Sequence, residues 1–421
     1  MSQELIHLCD SENVEAVKSL LTRGVDVNFQ SEDGRTPLMA AVQKNNLELA
    51  TLLMESGGDL NIRDNTMLTP WLCAGANGFH KIMQVALLHG ADINMTNRFG
   101  GTVLLPSSEK GYLRSVEVAI EAGVPINHVN DLGWSALQEA VILGNGGFLY
   151  SDIIRCLMDA GADALLRDND GKSALDWAKT HKQANVIKLL NKMETIDTNS
   201  PIYTVRQFIK SNQYVEALEL IEIAKEKHAD LELEYLKGHL YSLLDNPEEA
   251  LKTYKAAASL PNGSPEFLFY TANTLRTLKR ANEALDEYDL AISMDPNDFF
   301  YRYHKSNYLR EIGRHEEAVL EMDELLKRDA NRYDYYFHKA NSLRSLGRHE
   351  DAILAMDLAI KADPGNPLYV FHKAKSLSLL GRYQEAIILI DMAISLKSTP
   401  IYLQEREFVR REIENGHQNN N

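Results

Sequence analysis

The sequence predicts an all-α chain built as two α-solenoids in tandem, and two internal periods with one boundary between them predict it. In the first half Asn28, Asn61, Asn94 and Asn127 recur every 33 residues, as do Gly24, Gly57, Gly90 and Gly123, and Thr36, Thr69, Thr102 and Ser135. In the second half Ala250, Ala284, Ala318, Ala352 and Ala386 recur every 34 residues, accompanied by Ala257, Ala291, Leu325, Ala359 and Ala393. The ruler changes at the polar run Thr195-Ile196-Asp197-Thr198-Asn199-Ser200-Pro201. By size alone 421 residues would make two or three globular domains; a fixed period turns them instead into about twelve thin layers, each buried mainly by its neighbours.

Each part of the 33-residue unit has a physical job. Its best copy reads Asp33-Gly34-Arg35-Thr36-Pro37-Leu38-Met39-Ala40-Ala41, then Leu52-Leu53, then Gly57-Gly58-Asp59-Leu60-Asn61. Thr36 is placed to cap a helix whose first turn accepts Pro37, because the missing N–H has no intrahelical partner there. Gly57 supplies a helix C-terminus, and Asp59 and Asn61 suit the following turn. This pattern resembles the ankyrin repeat. The resemblance implies six helix pairs joined through short β-hairpin fingers, at roughly 1–30, 31–63, 64–96, 97–129, 130–167 and 168–192, within a domain spanning 1–194. Two departures stand out. The fourth unit has Val103 in place of proline and carries Pro106 inside its first helix, where a proline costs a hydrogen bond. The fifth is five residues longer, and the surplus is expected in a loop at Gly144-Asn145-Gly146-Gly147. His128-Val129-Asn130 and Leu132-Gly133-Trp134 also look similar to a group of small bacterial ankyrin proteins.

In the 34-residue unit, small side chains at Ala340, Ala352 and Ala359 allow two helices to cross closely, and Gly347-Arg348 turns the chain between them. Asp295-Pro296 and Asp363-Pro364 end units, because proline disfavours helix in the residue before it. The unit resembles the tetratricopeptide repeat. The resemblance implies six helix pairs near 198–230, 231–264, 265–298, 299–332, 333–366 and 367–400, then a capping helix from about 401 to 415. The domains read in this way are 1–194, a linker at 195–201, 202–415, and a polar tail at 416–421.

The composition removes several classes of function. With 44% hydrophobic and 25% charged residues the chain is neither disordered, collagen-like nor a disulfide scaffold. Forty-four Lys+Arg against sixty Asp+Glu leave a charge of −16, which argues against nucleic acid as a main partner, since a phosphate backbone needs a basic face. Cys9, Cys73 and Cys156 lie far apart without metal-ligand spacing, as expected of a reducing compartment. There is no basic segment leading into an apolar core at the N-terminus, and no run of about 18 apolar residues. The expectation is a soluble, cytoplasmic protein with no membrane partner.

No cofactor, metal or catalytic set is expected. The sequence has no phosphate-cradling Gly-rich loop ahead of a Lys-Ser/Thr pair, no His-Glu-x-x-His and no nucleophile elbow. His304, His338 and His372 repeat every 34 residues, but equivalent positions on stacked repeats lie about 10 Å apart, whereas a zinc ligand sits about 2 Å from its metal.

The candidate binding residues form a stripe at i, i+4, i+7 on the first helix of successive repeats: Phe269, Asn273, Arg276, then Tyr303, Asn307, Arg310, then Phe337, Asn341, Arg344. In tetratricopeptide proteins this face generally lines the partner groove, so the resemblance implies an extended or acidic peptide met by amide and guanidinium donors. The sixth unit has Phe371, Lys375 and Ser378 instead. A lysine clamp for chaperone tails is disfavoured, because Tyr303, Phe337 and Phe371 occupy the matching positions. The rival reading makes the stripe an internal brace, each arginine paired with Asp289, Asp323 or Asp357 of a second helix. In the ankyrin half the resemblance points to finger and first-helix residues Arg98, Phe99, His128, Trp134 and Gln138, beside Phe29, Met95 and Glu139. Trp134 has the alternative of folding back on the adjacent finger, while Trp71 and Trp177 are expected in the core.

The function expected is a non-enzymatic adaptor that holds one protein on the ankyrin fingers and another protein or peptide in the tetratricopeptide groove. Its rivals are a bacterial effector acting on host proteins, an enzyme with a site near His128, Glu139 and Asn145, and a purely structural role.

Overall fold

The computed structural model describes residues 2–191, 197–226, 230–261, 263–330 and 332–418. Positions 195 and 196 of the expected linker and 419–421 of the expected tail lie outside the described residues. The chain divides into two compact units, residues 1–193, 366–368 and 391–408 in one and residues 194–365, 369–390 and 409–421 in the other.

The first array consists of six helix pairs. They are α1 (Ser2–Asp10) and α2 (Val14–Thr22), α3 (Pro37–Gln43) and α4 (Leu47–Glu55), α5 (Pro70–Ala76) and α6 (His80–Leu88), α7 (Leu104–Glu109) and α8 (Leu113–Glu121), α9 (Ala136–Ile142) and α10 (Phe148–Asp159), and α11 (Ala174–Thr180) and α12 (Ala184–Leu190). Three first helices start where expected, at Thr36, Thr69 and Ser135, and the sixth unit adds Ser173; each of the four accepts a backbone N–H three residues on, a cap of about 1 kcal/mol. Leu38, Ala41, Leu49, Leu53, Trp71, Leu137 and Ile153 fill the layers and are fully buried.

The fourth unit departs from the expected register. α7 begins at Leu104 with Val103 as its uncapped N-terminal flank, and Leu105 N–H bonds back to Thr102 O at 3.2 Å. Pro106 therefore sits in the first turn, where no intrahelical bond is lost. In the fifth unit the surplus is shared: α10 has 12 residues against nine in α4, α6 and α8. The remaining loop is pinned by Gln183, whose Nε2 donates to Val141 O (3.0 Å) and Gly144 O (2.9 Å).

The fingers are not β-hairpins. Among the described residues there is no strand, and the one isolated bridge joins Val129 and Ser135. A side chain takes the place of the ladder: Asp64 Oδ1 accepts the N–H groups of Thr66 and Leu68, Asn97 those of Phe99 and Gly101, Asn130 those of Leu132 and Trp134, and Asp168 those of Asp170 and Lys172. Each of these four fingers is thus a turn closed by a carboxylate or amide together with one backbone bond, while the finger at 31–35 has Ser31 in that place, donating to Arg35 O.

The second array consists of α13 (Pro201–Lys210) and α14 (Tyr214–Lys225), α15 (Leu231–Leu243) and α16 (Pro247–Ala258), α17 (Pro265–Thr277) and α18 (Ala281–Met294), α19 (Phe299–Glu311) and α20 (His315–Arg328), α21 (Tyr333–Ser345) and α22 (His349–Ala362), α23 (Pro367–Leu379) and α24 (Tyr383–Leu396), and the terminal α25 (Pro400–Gln418). Ala340, Ala352 and Ala359 are fully buried at the helix crossings. The turn between paired helices needs a left-handed residue. Gly313, Gly347 and Gly381 supply it in the later repeats, whereas Asn212, Asp245 and Lys279 adopt it in the earlier ones at φ of 58°, 58° and 59°.

Candidate protein-binding faces

Aromatic stacking from one layer to the next accounts for the period of the histidines. Phe269 meets the ring of His304 at 5.1 Å, Tyr303 that of His338 at 5.6 Å, and Phe337 that of His372 at 4.9 Å, each an edge-to-face pair across a repeat boundary. Phe269, Tyr303 and Phe337 are all buried. The aromatic members of the stripe therefore pack the solenoid and present no contact surface, contrary to their expected place in a groove. Among the described residues no group of three or more His, Cys, Asp or Glu side chains could hold a metal ion.

The polar members come together as pairs. Arg276 donates to Asn273 Oδ1 (3.2 Å), Arg310 to Asn307 Oδ1 (2.5 Å) and Arg344 to Asn341 Oδ1. Each arginine also reaches the following repeat: Arg276 to Glu311 (2.7 Å), Arg310 to His338 Nδ1 (3.0 Å) and Arg344 to His372 O (3.2 Å). All three arginines are half-buried. Arg276 also lies 4.7 Å from the Tyr308 ring centre. The guanidinium groups are thus held in place by partners on their own helix and on the following repeat.

The aspartates expected to pair with these arginines pair with lysines. Lys305 holds Asp289 at 2.6 Å, Lys339 holds Asp323 at 2.5 Å and Lys373 holds Asp357 at 2.5 Å. Each bridge runs from the first helix of one repeat to the second helix of the repeat before it. The arginines are already engaged by the asparagine one turn earlier on their own helix, which leaves the aspartates to the lysine. Burial pulls the Lys305 ammonium down, but hydrogen bonds to Asp289 and Glu321 outweigh it and hold the group above its ordinary value.

These contacts sort charge across the helix pair. In the three repeats from α17 to α22, the first helices carry six Lys/Arg and three Asp/Glu, whereas the second helices carry three and twelve. The first-helix face is the basic one, in a chain whose overall charge is −16.

In the ankyrin array the five expected contact residues separate into two groups. Trp134 (7% exposed) and Gln138 (1%) lie in the interior. Gln138 completes a capping box with Ser135 and donates to Leu166 O and Lys172 O, so it joins adjacent units and is not a surface contact. Arg98, Phe99 and His128 are half-buried on the fingers, with the Arg98 guanidinium 4.9 Å above the Phe99 ring and a His128 ring nitrogen 2.6 Å from Gly100 O. Trp71 is in the core, whereas Trp177 is half-exposed, its indole N–H donating to Asp168 at 2.7 Å and its ring covered by Lys172 at 3.9 Å.

Glu139 is buried at 6% exposure. Its Oε1 accepts from Asn130 Nδ2 at 2.9 Å, and its Oε2 has no hydrogen-bond partner among the described residues. Burial and the neighbouring Glu109 charge push its carboxyl well above the usual range, with the Asn130 bond pulling weakly the other way. His128 and Asn145, its companions in the enzyme alternative, are engaged elsewhere, Asn145 accepting from Gly147 N–H at 3.0 Å, and no hydrogen bond joins the three.

Sequence reasoning assigned Asn61 to a local turn and read Asn28 and Asn127 only as members of the period, but each bridges two repeats. Asn28 donates to Gly57 O and accepts from Asp59 N–H, Asn61 does the same with Gly90 and Asp92, and Asn127 with Gly161 and Asp163, at 2.8–3.3 Å. The 33-residue period was the available signal, since a residue kept at one place in every layer is placed to touch the next layer.

A family model described as ankyrin repeats (3 copies) matches residues 5–97 and 104–201, and one described as tetratricopeptide repeat matches residues 235–299 and 303–367. Among solved structures, an ankyrin repeat domain from Acinetobacter baumannii AYE is 42% identical, covering 45% of this chain and 96% of its own, with a TM-score of 0.44. The ankyrin repeat protein EF0377 is 35% identical over 46% of this chain and 98% of its own, with a TM-score of 0.45. A chain from the complex of a Bdellovibrio bacteriovorus predatory endopeptidase with an immunity protein is 26% identical over 45% of this chain and 97% of its own, with a TM-score of 0.40. No curated protein matches the chain. No described helix is long and apolar enough to cross a membrane. With four ankyrin-type caps, six helix pairs and family models that match both halves, the chain belongs to the ankyrin-repeat family in its first half and carries tetratricopeptide repeats in its second, both of them modules that generally mediate protein–protein interaction.

Proposed function

We propose that the protein is a non-enzymatic cytoplasmic scaffold that binds one protein through the ankyrin fingers and an acidic, extended peptide along the first helices of the tetratricopeptide array. The observation that carries this reading is the row of Asn273–Arg276, Asn307–Arg310 and Asn341–Arg344 pairs on a basic face. A guanidinium already held by its neighbours loses little further freedom when a carboxylate docks against it, and a forked donor suits that group. On the ankyrin side Arg98, Phe99 and His128 supply a half-exposed aromatic and two polar groups. Two tethered sites raise the effective concentration of one partner near the other.

The test is affinity capture from native cytosol with the intact protein beside an Asn307→Ala/Arg310→Ala/Asn341→Ala/Arg344→Ala variant and an Arg98→Ala/Phe99→Ala/His128→Ala variant. Each variant is expected to lose a different prey and retain the other. Capture unchanged by either set would reduce the pairs to internal braces and end the reading.

A further inference from the structure

The second helices of the tetratricopeptide array carry an apolar ladder that the fold leaves in solvent. Leu320, Leu354 and Ile388 occupy one position in three successive repeats and are 64%, 62% and 68% exposed. Leu358, one turn after Leu354, and Leu290, at the matching place in α18, are also exposed. Among the described residues of the first helices of the same repeats, only Leu379, the last residue of α23, is an exposed large apolar side chain, so the ladder is no by-product of a generally apolar surface. Aligned exposed aliphatics mark a binding surface more often than scattered ones do.

The edges of the ladder define what it would accept. At about 100° per residue, side chains three positions before and after a ladder residue stand about 60° to either side of it. Those places hold Glu317 and Asp323 around Leu320, and Asp351 and Asp357 around Leu354, with Glu385 before Ile388. All four carboxylates around the two leucines are ion-paired within the array, to Arg314, Lys339, Arg348 and Lys373, while a third to a half of each side chain stays exposed. Counting whole helices, α18, α20 and α22 carry twelve acidic residues against Lys327, Arg328 and Lys361. An anionic lipid surface is disfavoured by the same charges.

The spacing is equally specific. Successive layers of packed helices lie about 10 Å apart, and seven residues of an α-helix rise about 10.5 Å. A helix laid across α20, α22 and α24 would therefore place residues i, i+7 and i+14 over Leu320, Leu354 and Ile388. We propose that this face docks an amphipathic helix with aliphatic residues at heptad spacing and Lys or Arg along both flanks, a helix-on-face mode of recognition. This site is separate from the first-helix face assigned above and takes a partner of the opposite charge.

The probe is a fluorescein-labelled 18-residue helical peptide with leucines seven apart and lysine flanks, titrated by fluorescence polarisation against the full chain. Saturable binding is expected, weakened at least tenfold in Leu320→Glu/Leu354→Glu/Ile388→Glu and at least tenfold when the flanking lysines become glutamates. Thermal melting should be unchanged in the triple variant, because these side chains are mostly exposed; Leu320→Ser/Leu354→Ser/Ile388→Ser gives a second reading without added charge. Equal affinity for wild type and both triple variants would overturn the proposal, as would equal affinity for the glutamate-flanked peptide. Sedimentation of the protein with phosphatidylcholine vesicles, lost in the triple variants, would assign the ladder to lipid instead. Concentration-dependent dimerisation lost in them would assign it to a second copy of the chain.

Discussion

Pro125 stands where the backbone N–H that would close the Asn94 clamp belongs. Asp59, Asp92 and Asp163 occupy the matching positions after Gly57, Gly90 and Gly161, and each donates its N–H to the asparagine of the preceding layer. Proline has no such hydrogen, and among the described residues Asn94 makes no corresponding bond. Asn28→Ala, Asn61→Ala and Asn127→Ala should each destabilise the ankyrin array by about 1 kcal/mol, the usual net worth of such bonds, and should speed amide exchange at Asp59, Asp92 and Asp163 respectively. Asn94→Ala should be near neutral. Pro125→Asp should stabilise the array, and should do so only while Asn94 is present.

Glu139 should impose a pH dependence on stability opposite in sign to that of a salt-bridged carboxylate. Its folded pKa is raised, chiefly by burial, so between the ordinary glutamate value and the folded one the native state binds more protons than the unfolded state. Stability falls as pH rises through that window. Glu139→Gln, which keeps an acceptor for Asn130, should raise the melting temperature at neutral pH, leave it unchanged near pH 4, and flatten the curve between. Parallel curves for the two proteins would show that Glu139 does not carry the effect.

Lys279 sits at φ 59° in the turn between α17 and α18, a conformation that Gly313, Gly347 and Gly381 fill in the later repeats. A side chain there crowds the backbone, whereas glycine is tolerated. Lys279→Gly should stabilise the array by about 0.5–1 kcal/mol once glycine's greater unfolded-state entropy is deducted. Gly347→Ala should destabilise it, and calorimetry of the two variants gives the comparison.

Gly238 in α15 faces the buried Tyr254 ring of α16 so closely that an added methyl group would overlap it. The close approach within that helix pair depends on the missing side chain. Gly238→Ala should cost about 1–3 kcal/mol, the range for overpacking, read as a lowered urea midpoint for the second array; Gly238→Ala/Tyr254→Leu should recover part of the loss.

The helix pairs were legible because a repeat obeys the same local rules in every copy. Thr36, Pro37 and Gly57 act within one layer, and their meaning follows from a few adjacent residues. Contacts between layers were not legible. Nothing local indicates that Asp323 pairs with Lys339 rather than with an arginine, or that Asn61 leaves its own turn for Gly90, because both depend on how one layer registers against the next. The buried aromatics failed for a related reason: Phe269 lies on the stripe that also carries Arg276, but its ring turns into the boundary with His304. The start of α7 moved because a helix that contains Pro106 is more stable when the proline falls in its first turn.

The unequal charge of paired helices gives the second array an electric moment across its width, not along its length. A charged partner feels that moment before it touches any side chain, and low ionic strength extends its reach to tens of ångströms. Encounters would then be turned before they are formed, anionic segments toward one set of helices and cationic segments toward the other. Discrimination of this kind lies in association rates and fades as salt is added, while the identity of the contacts stays the same.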